Sequence, residues 1–395
     1  MRLRIDGGLI LGAALLGACG TSRAFAQDDP AQRALSLQRQ GKIAEAEEEW
    51  KTIATQHPAS AEPLAELGLL EARQEHYAEA IRWYKKAMAL SPEMPRLRFN
   101  LGLAYFKAGE YAEALEQFKP LLKTGAADPD EAQRLTILVG MSHYGLGEFA
   151  AATPYLKRAA DGDAQNLSLL LTLAHSCLLS HQYQCVLDEF HQIIALSPDS
   201  VEAHMLAGEA LDEMKEPVDA VRELRAAVQA DPKAPNVHFA LGYVLWTQGH
   251  ADEAAQEFQA EIDNDPQHIQ AILYLADARI QMNQPEGARP LLEKVAKIDP
   301  TDPMVHLDLG IIYTDASRNA DALRELKTAA ALDPTNVKPH WRLARLYHSM
   351  GKTAEADAEL TKTKHMNEAA DEGLLKAMSR VSQQSSAPQG EPAKK

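Results

Sequence analysis

The stretch NVHFALGYVLWTQGHADEAAQEFQAEIDNDP, residues Asn236 to Pro266, decides the fold. In order it carries a small residue at Gly242, a turn glycine at Gly249, a second small residue at Ala254, a bulky apolar residue at Phe258 and a closing proline. Steps of 34 residues lead from Pro266 to Pro198, Pro232, Pro300 and Pro334, and the same step separates Pro58 from Pro92. A strict period of this size marks a stacked repeat array. The first small slot is filled by Ala34, Gly68, Gly102, Gly140, Ala174, Gly208, Gly242, Ala276, Gly310 and Ala344. The second holds Ala46, Ala80, Ala114, Ala152, Val186, Ala220, Ala254, Ala288, Ala322 and Ala356, with only Val186 departing. Four residues on, the slot is always large: Trp50, Tyr84, Phe118, Leu156, Phe190, Leu224, Phe258, Leu292, Leu326, Leu360. Two helices approach closely only where small side chains face each other, with a bulky residue one turn away filling the space beside them. The unit is a helical hairpin, repeated ten times.

On these residues the chain resembles the tetratricopeptide repeat family from Gln27 to about Ala370. The resemblance implies an all-α, right-handed superhelical solenoid in which first helices line a concave groove and second helices lie outside. The ten units fall at 27–60, 61–94, 95–128, 133–166, 167–200, 201–234, 235–268, 269–302, 303–336 and 337–370. The spacing gains four residues between the third and fourth, around Ala126 to Asp130. With Pro129 and Asp130 as a cap, this reads as a longer connection that splits the array into three plus seven units. Turn glycines stand at Gly41, Gly109, Gly147, Gly249 and Gly351. Leu374, Leu375, Met378 and Val381 place one apolar stripe on a terminal capping helix over 371–382, and 383–395 has nothing to bury and reads as disordered.

A solenoid grows by adding units that touch only their neighbours, so 395 residues need no domain boundary. Charged residues at 24% and aromatic residues at 6% suit alanine-rich amphipathic helices. The net charge of −16, without a basic block, sets nucleic acid aside as a partner, since polyanions would be repelled. Residues 1–26 are different: Arg2 and Arg4, an apolar run from Gly7 to Ala18, then Ala24-Phe25-Ala26. This predicts a secretory signal, too short to span a bilayer, and hence an exported chain, periplasmic or secreted. Leu16-Gly17-Ala18-Cys19 resembles the lipobox of bacterial lipoproteins. Two termini therefore stay open: Gln27, or a lipidated Cys19 that would hold the chain to a membrane.

No HExxH, GxSxG, CxxC or glycine-rich phosphate loop is present, so the expectation is no catalysis, no cofactor and no metal. His204, His238, His306 and His340 share one slot, where other units hold Leu64, Leu170 and Ile272. The slot therefore reads as a packing position and not as a metal ladder. Cys177 and Cys185 fall on the two helices of one hairpin; export favours a disulfide, whereas an outward slot for Cys185 favours two thiols, and both readings stand.

The groove face carries Phe99, Leu103 and Phe106 in the third unit, Ile137, Met141 and Tyr144 in the fourth, and Phe239, Tyr243 and Trp246 in the seventh. Large apolar groups on a charge-rimmed face are what a peptide or helix groove needs. In the tenth unit Lys338, Trp341, Arg342 and Arg345 form a basic patch. Lys338 and Arg342 match the last pair of the family's carboxylate clamp, but Leu273, Asp277 and Asp308 occupy the preceding slots, which puts such a clamp in doubt. The expectation is an interaction scaffold of the cell envelope that binds a protein or peptide segment in its groove. The alternative is a regulatory or assembly subunit of an envelope enzyme complex, such as one exporting polysaccharide or maturing cytochromes. Partner identity and oligomeric state are not legible in one sequence.

Overall fold

The computed structural model describes residues 29–124 and 128–366. Every regular element among them is a helix, and the helices alternate as antiparallel pairs: α1 (Pro30–Arg39) with α2 (Ile43–Gln56), α3 (Glu62–Arg73) with α4 (Tyr77–Leu90), α5 (Leu97–Ala108) with α6 (Tyr111–Thr124), α7 (Pro129–Gly145) with α8 (Phe149–Gly162), and α9 (Leu167–Leu179) with α10 (Tyr183–Leu196). The series continues as α11 (Val201–Glu213), α12 (Pro217–Ala230), α13 (Val237–Thr247), α14 (Ala251–Asn264), α15 (Ile269–Gln281), α16 (Pro285–Ile298), α17 (Pro303–Asp315), α18 (Asn319–Leu332), α19 (Val337–Ser349) and α20 (353–366). The leader with Cys19, the capping helix and the tail lie outside the described residues.

The two small slots and the bulky slot form the contact that closes the hairpins, except in the tenth, where Leu360 of the bulky slot is 48% exposed. At Gly242 an added Cβ would come within 2.8 Å of the Phe258 ring, and at Gly102 within 2.5 Å of Phe118. Phe118 and Phe258 are fully buried, as are Trp50 and Tyr84 in the same slot. Ring and backbone thus occupy space that any side chain at the glycine would claim, which is why that position stays small.

The turn is conserved in conformation where it is not conserved in composition. Its slot has φ between 73° and 81° at Gly41, Gly109, Gly147, Gly249 and Gly351, and between 59° and 64° at Glu75, His181, Lys215, Asn283 and Ser317. The residue after it donates back across the helix end, as from His250 N to the Leu245 carbonyl at 3.0 Å or Arg318 N to Tyr313 at 2.8 Å, closing a Schellman-type cap. Left-handed backbone is costly for residues with a Cβ. Glu75→Gly and Ser317→Gly should therefore each raise stability by about 0.5–1 kcal/mol, read as a higher urea midpoint at unchanged m-value. A lower midpoint for both would refute it.

The described residues of the insertion, from Asp128 onward, belong to a helix and its cap. They lengthen the first helix of the fourth hairpin, α7, to 17 residues, so that it starts at Pro129, ahead of the expected boundary at residue 133. Proline suits the first helical position, where its missing N–H is no loss. Asp128, and not Asp130, is the cap: its side chain accepts from Asp130 N at 3.1 Å. Nor does the array break after the third hairpin. Leu135, Leu138 and Val139 of α7 share one core with Tyr84, Leu101 and Phe118. The chain instead divides into two compact units at Glu216/Pro217, inside the turn of the sixth hairpin.

Cys177 and Cys185 are joined by a disulfide between α9 and α10, with Cα atoms 5.9 Å apart, inside the range a bridge accepts. Cys177 is fully buried and Cys185 packs on the same core. Closing a loop of this sequence separation, 8, restricts the unfolded chain. Cys177→Ala with Cys185→Ala should cost about 2 kcal/mol, seen as a lower melting temperature. Thiol titration of the denatured, unreduced protein should give none from this pair; two would refute the bridge.

Candidate functional site

The seventh hairpin builds the most developed surface of the second unit, and its buried polar groups fix the helix that carries it. Asn236, at φ 64°, gives α13 no side-chain cap. Its place is taken from the second helix by Glu261, whose carboxylate accepts from Asn236 N at 2.9 Å and Phe239 N at 3.1 Å. A buried carboxylate at a helix N-terminus is favoured by both hydrogen bonds and dipole. His238 adds a second tie, Nδ1 to Glu257 at 2.6 Å.

On this held helix Phe239, Tyr243 and Trp246 follow one another, and the next hairpin adds a fourth ring. Tyr274 lies 5.7 Å from Phe239, 5.4 Å from Tyr243 and 5.1 Å from Trp246, centroid to centroid, and is edge-on to all three. It also stacks on Phe258 at 5.6 Å. Edge-to-face geometry is the favourable arrangement for aromatic pairs. The three rings named from sequence are not equivalent: Phe239 is partly buried between Phe258, His268 and Tyr274, whereas Tyr243 keeps 36% of its surface exposed. The indole N–H of Trp246 donates to Asp277 at 2.7 Å, and the Gln281 amide reaches the same oxygen at 2.7 Å.

Beyond Asp277 the face continues onto α17 and α19. Burial pushes the Asp308 carboxyl up to about 6, helped by the charges of Asp277 and Asp302 and opposed by Lys338. Among the described residues no donor forms a hydrogen bond or ion pair with it. On α19, the guanidinium groups of Arg342 and Arg345 lie 5.3 and 4.7 Å from the ring centroid of Trp341, which is 41% exposed. The chain's own cations thus already cover part of that tryptophan. The face therefore runs from aromatic at α13, through acidic at α15 and α17, to basic at α19.

The other groove candidates are all partly buried. Phe99 packs on Phe118 at 6.0 Å and Phe106 on Tyr111 at 5.6 Å, with Leu103 against the same core. Ile137 and Met141 pack on the next core cluster, and Tyr144 meets Phe149 at 5.4 Å and the Nδ1 of His175 at 2.5 Å. These six pack on the cores of their own hairpins, with Tyr144 also reaching the next one through His175. In the shared histidine slot His306 and His340 repeat the tie made by His238 within their own hairpins, reaching Glu325 and Glu359 on their second helices at 2.6 Å each. Among the described residues no group of three or more histidine, cysteine or carboxylate side chains is placed to hold a metal, and no helix is long and apolar enough to cross a membrane. A hollow of about 600 Å³ lies on the α12–α14 side, lined by Val221, Arg225, Leu245 and Gln248, with the Arg225–Glu253 ion pair at its rim.

Reading the sequence in steps of 34 finds Phe239, Tyr243 and Trp246 but misses Tyr274. Facing pairs on adjacent first helices are offset by 31: Trp246 with Asp277, Tyr144 with His175. Tyr243 and Tyr274 keep the same offset, and that register would have found the fourth ring.

Two family models, both described as tetratricopeptide repeat, match the chain: one at residues 71–136, 245–308 and 313–371, the other at 32–95, 187–235 and 213–269. A curated relative, the protein CTR9 homolog of Arabidopsis thaliana, is 25% identical over 203 residues, 46% of this chain and 18% of its own. The chain thus spans less than a fifth of the length of that relative. Among solved structures, MamA of Desulfovibrio magneticus RS-1 is 21% identical with a TM-score of 0.42, covering 44% of this chain and 98% of its own. A tetratricopeptide repeat protein from Parabacteroides merdae is 17% identical with a TM-score of 0.46, covering 60% and 92%.

Proposed function

The chain belongs to the tetratricopeptide repeat family, and on that footing we propose that it is a non-catalytic scaffold of the cell envelope, holding a protein or peptide segment on the first-helix face of its second unit. One observation carries the reading. Four aromatic rings from two hairpins converge on that face, with Tyr243 open to solvent and Trp246 held by Asp277. Rigid aromatic anchors bury area at low entropic cost, and a preformed surface spares the cost of ordering on binding. The envelope assignment rests on the leader-like residues 1–26 alone. Intact mass of the exported protein tests it: a start at Gln27 supports export by cleavage, a lipidated Cys19 supports membrane anchoring, and an uncleaved Met1 in a cytosolic fraction overturns it.

The binding face is tested by capture from envelope extract with the mature chain and with a Tyr243→Ala, Trp246→Ala variant of unchanged helicity. Anchors of this type carry enough energy that their loss should weaken a groove ligand roughly tenfold or more. Equal capture by both baits would move the site elsewhere. A catalytic protein and its activity in the bound fraction would favour the regulatory-subunit reading over the plain scaffold.

A further inference from the structure

We propose that the α13–α17 face selects a partner segment through a cationic side chain, an arginine or lysine, seated between the Tyr243, Tyr274 and Trp246 rings and the carboxylates of Asp277 and Asp308. The inference rests on the groove reading above and adds the chemistry of the occupant. Three independent features carry it. The rings present π-faces and edges at several orientations, with Tyr243 exposed, and such faces attract ammonium and guanidinium groups. Asp277 is oriented but not used up: it accepts from Trp246 and Gln281 on one oxygen, and an ionised carboxylate has about four lone-pair sites. Asp308 is half-buried, has no donor among the described residues, and lies within electrostatic reach of Asp277.

A half-buried carboxylate without a donor is unfavourable in the free protein, and a cation that supplies the missing donors removes that cost. Among the described residues Lys338 is the cation that acts on Asp308, and it forms no ion pair with it. The basic α19 end, with Lys338, Arg342 and Arg345, disfavours a cation there and so confines it to the α13–α17 end. This gives the bound segment a direction: its cationic residue toward α13, any acidic residue toward α19.

The test is calorimetric titration of the full mature chain with three acetylated, amidated peptides of equal length in one alanine–serine background, bearing two arginines, two glutamates or neither. The arginine peptide should bind, and Asp308→Asn should weaken it roughly tenfold, as should Asp277→Asn. Asp252→Asn, which removes the same charge from the exposed start of α14, should leave it unchanged and so separates the site from the general acidity of the chain. Binding should also fall as pH drops through about 6, where Asp308, facing Asp277, Asp302 and Lys338, takes up a proton. Preference for the glutamate or neutral peptide would overturn the cationic selectivity and leave the groove reading standing. Binding of the arginine peptide unaffected by Asp308→Asn and Asp277→Asn would place it elsewhere, and binding of none of the three would overturn both.

Discussion

Phe258→Ala lowers the stability of the second unit by roughly 3–5 kcal/mol, the range for deleting a buried phenylalanine. The ring is fully buried. It fills the recess opposite Gly242, where even a Cβ would stand 2.8 Å away, and supports Phe239 at 5.9 Å and Tyr274 at 5.6 Å. The helices α13 and α14 cannot close on the resulting void, because they already meet tightly at the small residues Gly242 and Ala254. Domains have only about 5–15 kcal/mol in total, so the loss is a large fraction. In a repeat array the damage is concentrated in neighbouring hairpins. Hydrogen exchange should therefore show α13 to α16 losing protection while α1 to α6 retain theirs. A loss under about 1 kcal/mol by urea unfolding, or a uniform loss along the chain, would show that this slot does not close the hairpin. Tyr243→Ala, which removes a ring 36% exposed, is the contrasting variant: it should cost far less stability than Phe258→Ala and strike mainly at binding.

That contrast marks what the sequence makes legible. The hairpin contact repeats because it is the same steric problem solved in hairpin after hairpin, so Gly102 with Phe118 and Gly242 with Phe258 stand out by period alone. The turn conformation is equally repeated but only half visible, since Glu75, His181, Lys215, Asn283 and Ser317 take a left-handed backbone that composition does not announce. The insertion at the start of α7 looked like loop because Pro129 reads as a break, whereas proline also opens a helix, with Asp128 as its cap. Tyr274 was hidden for a geometric reason: equivalent positions recur at the repeat period, but touching positions are set by the stagger of neighbouring helices. The histidine slot was read as packing because a period says where a residue sits and not what faces it; Glu257, Glu325 and Glu359, on the opposite helix, give His238, His306 and His340 their partners. The unpaired state of Asp308 depends on what α15 and α19 fail to supply, which no pattern within α17 encodes.

Asp308→Asn should stabilise the free protein near neutral pH, and the gain should vanish in acid. Burial, with Asp277 and Asp302 beside it, raises the carboxyl from an ordinary 3.8 to about 6, against the pull of Lys338. Between those values the folded state binds a proton that the unfolded state has released. Stability therefore falls as pH rises through that window and stays low above it. The shift corresponds to a destabilisation on the order of 2–3 kcal/mol above about pH 7, which the neutral, near-isosteric asparagine avoids. Urea unfolding should give the variant an advantage on the order of 2 kcal/mol at about pH 8, shrinking toward zero at about pH 4. Glu66, Glu189, Glu209 and Asp212 are raised by burial too and tilt the absolute curve the same way, so the difference between the two proteins isolates Asp308. An advantage equal at both pH values would assign it to amide packing, and a variant weaker than the parent at pH 8 would show the carboxylate is well solvated. The expected outcome, a residue whose removal strengthens the fold while weakening a cationic ligand, separates binding from structure, since a loss of affinity in a more stable protein has no origin in misfolding.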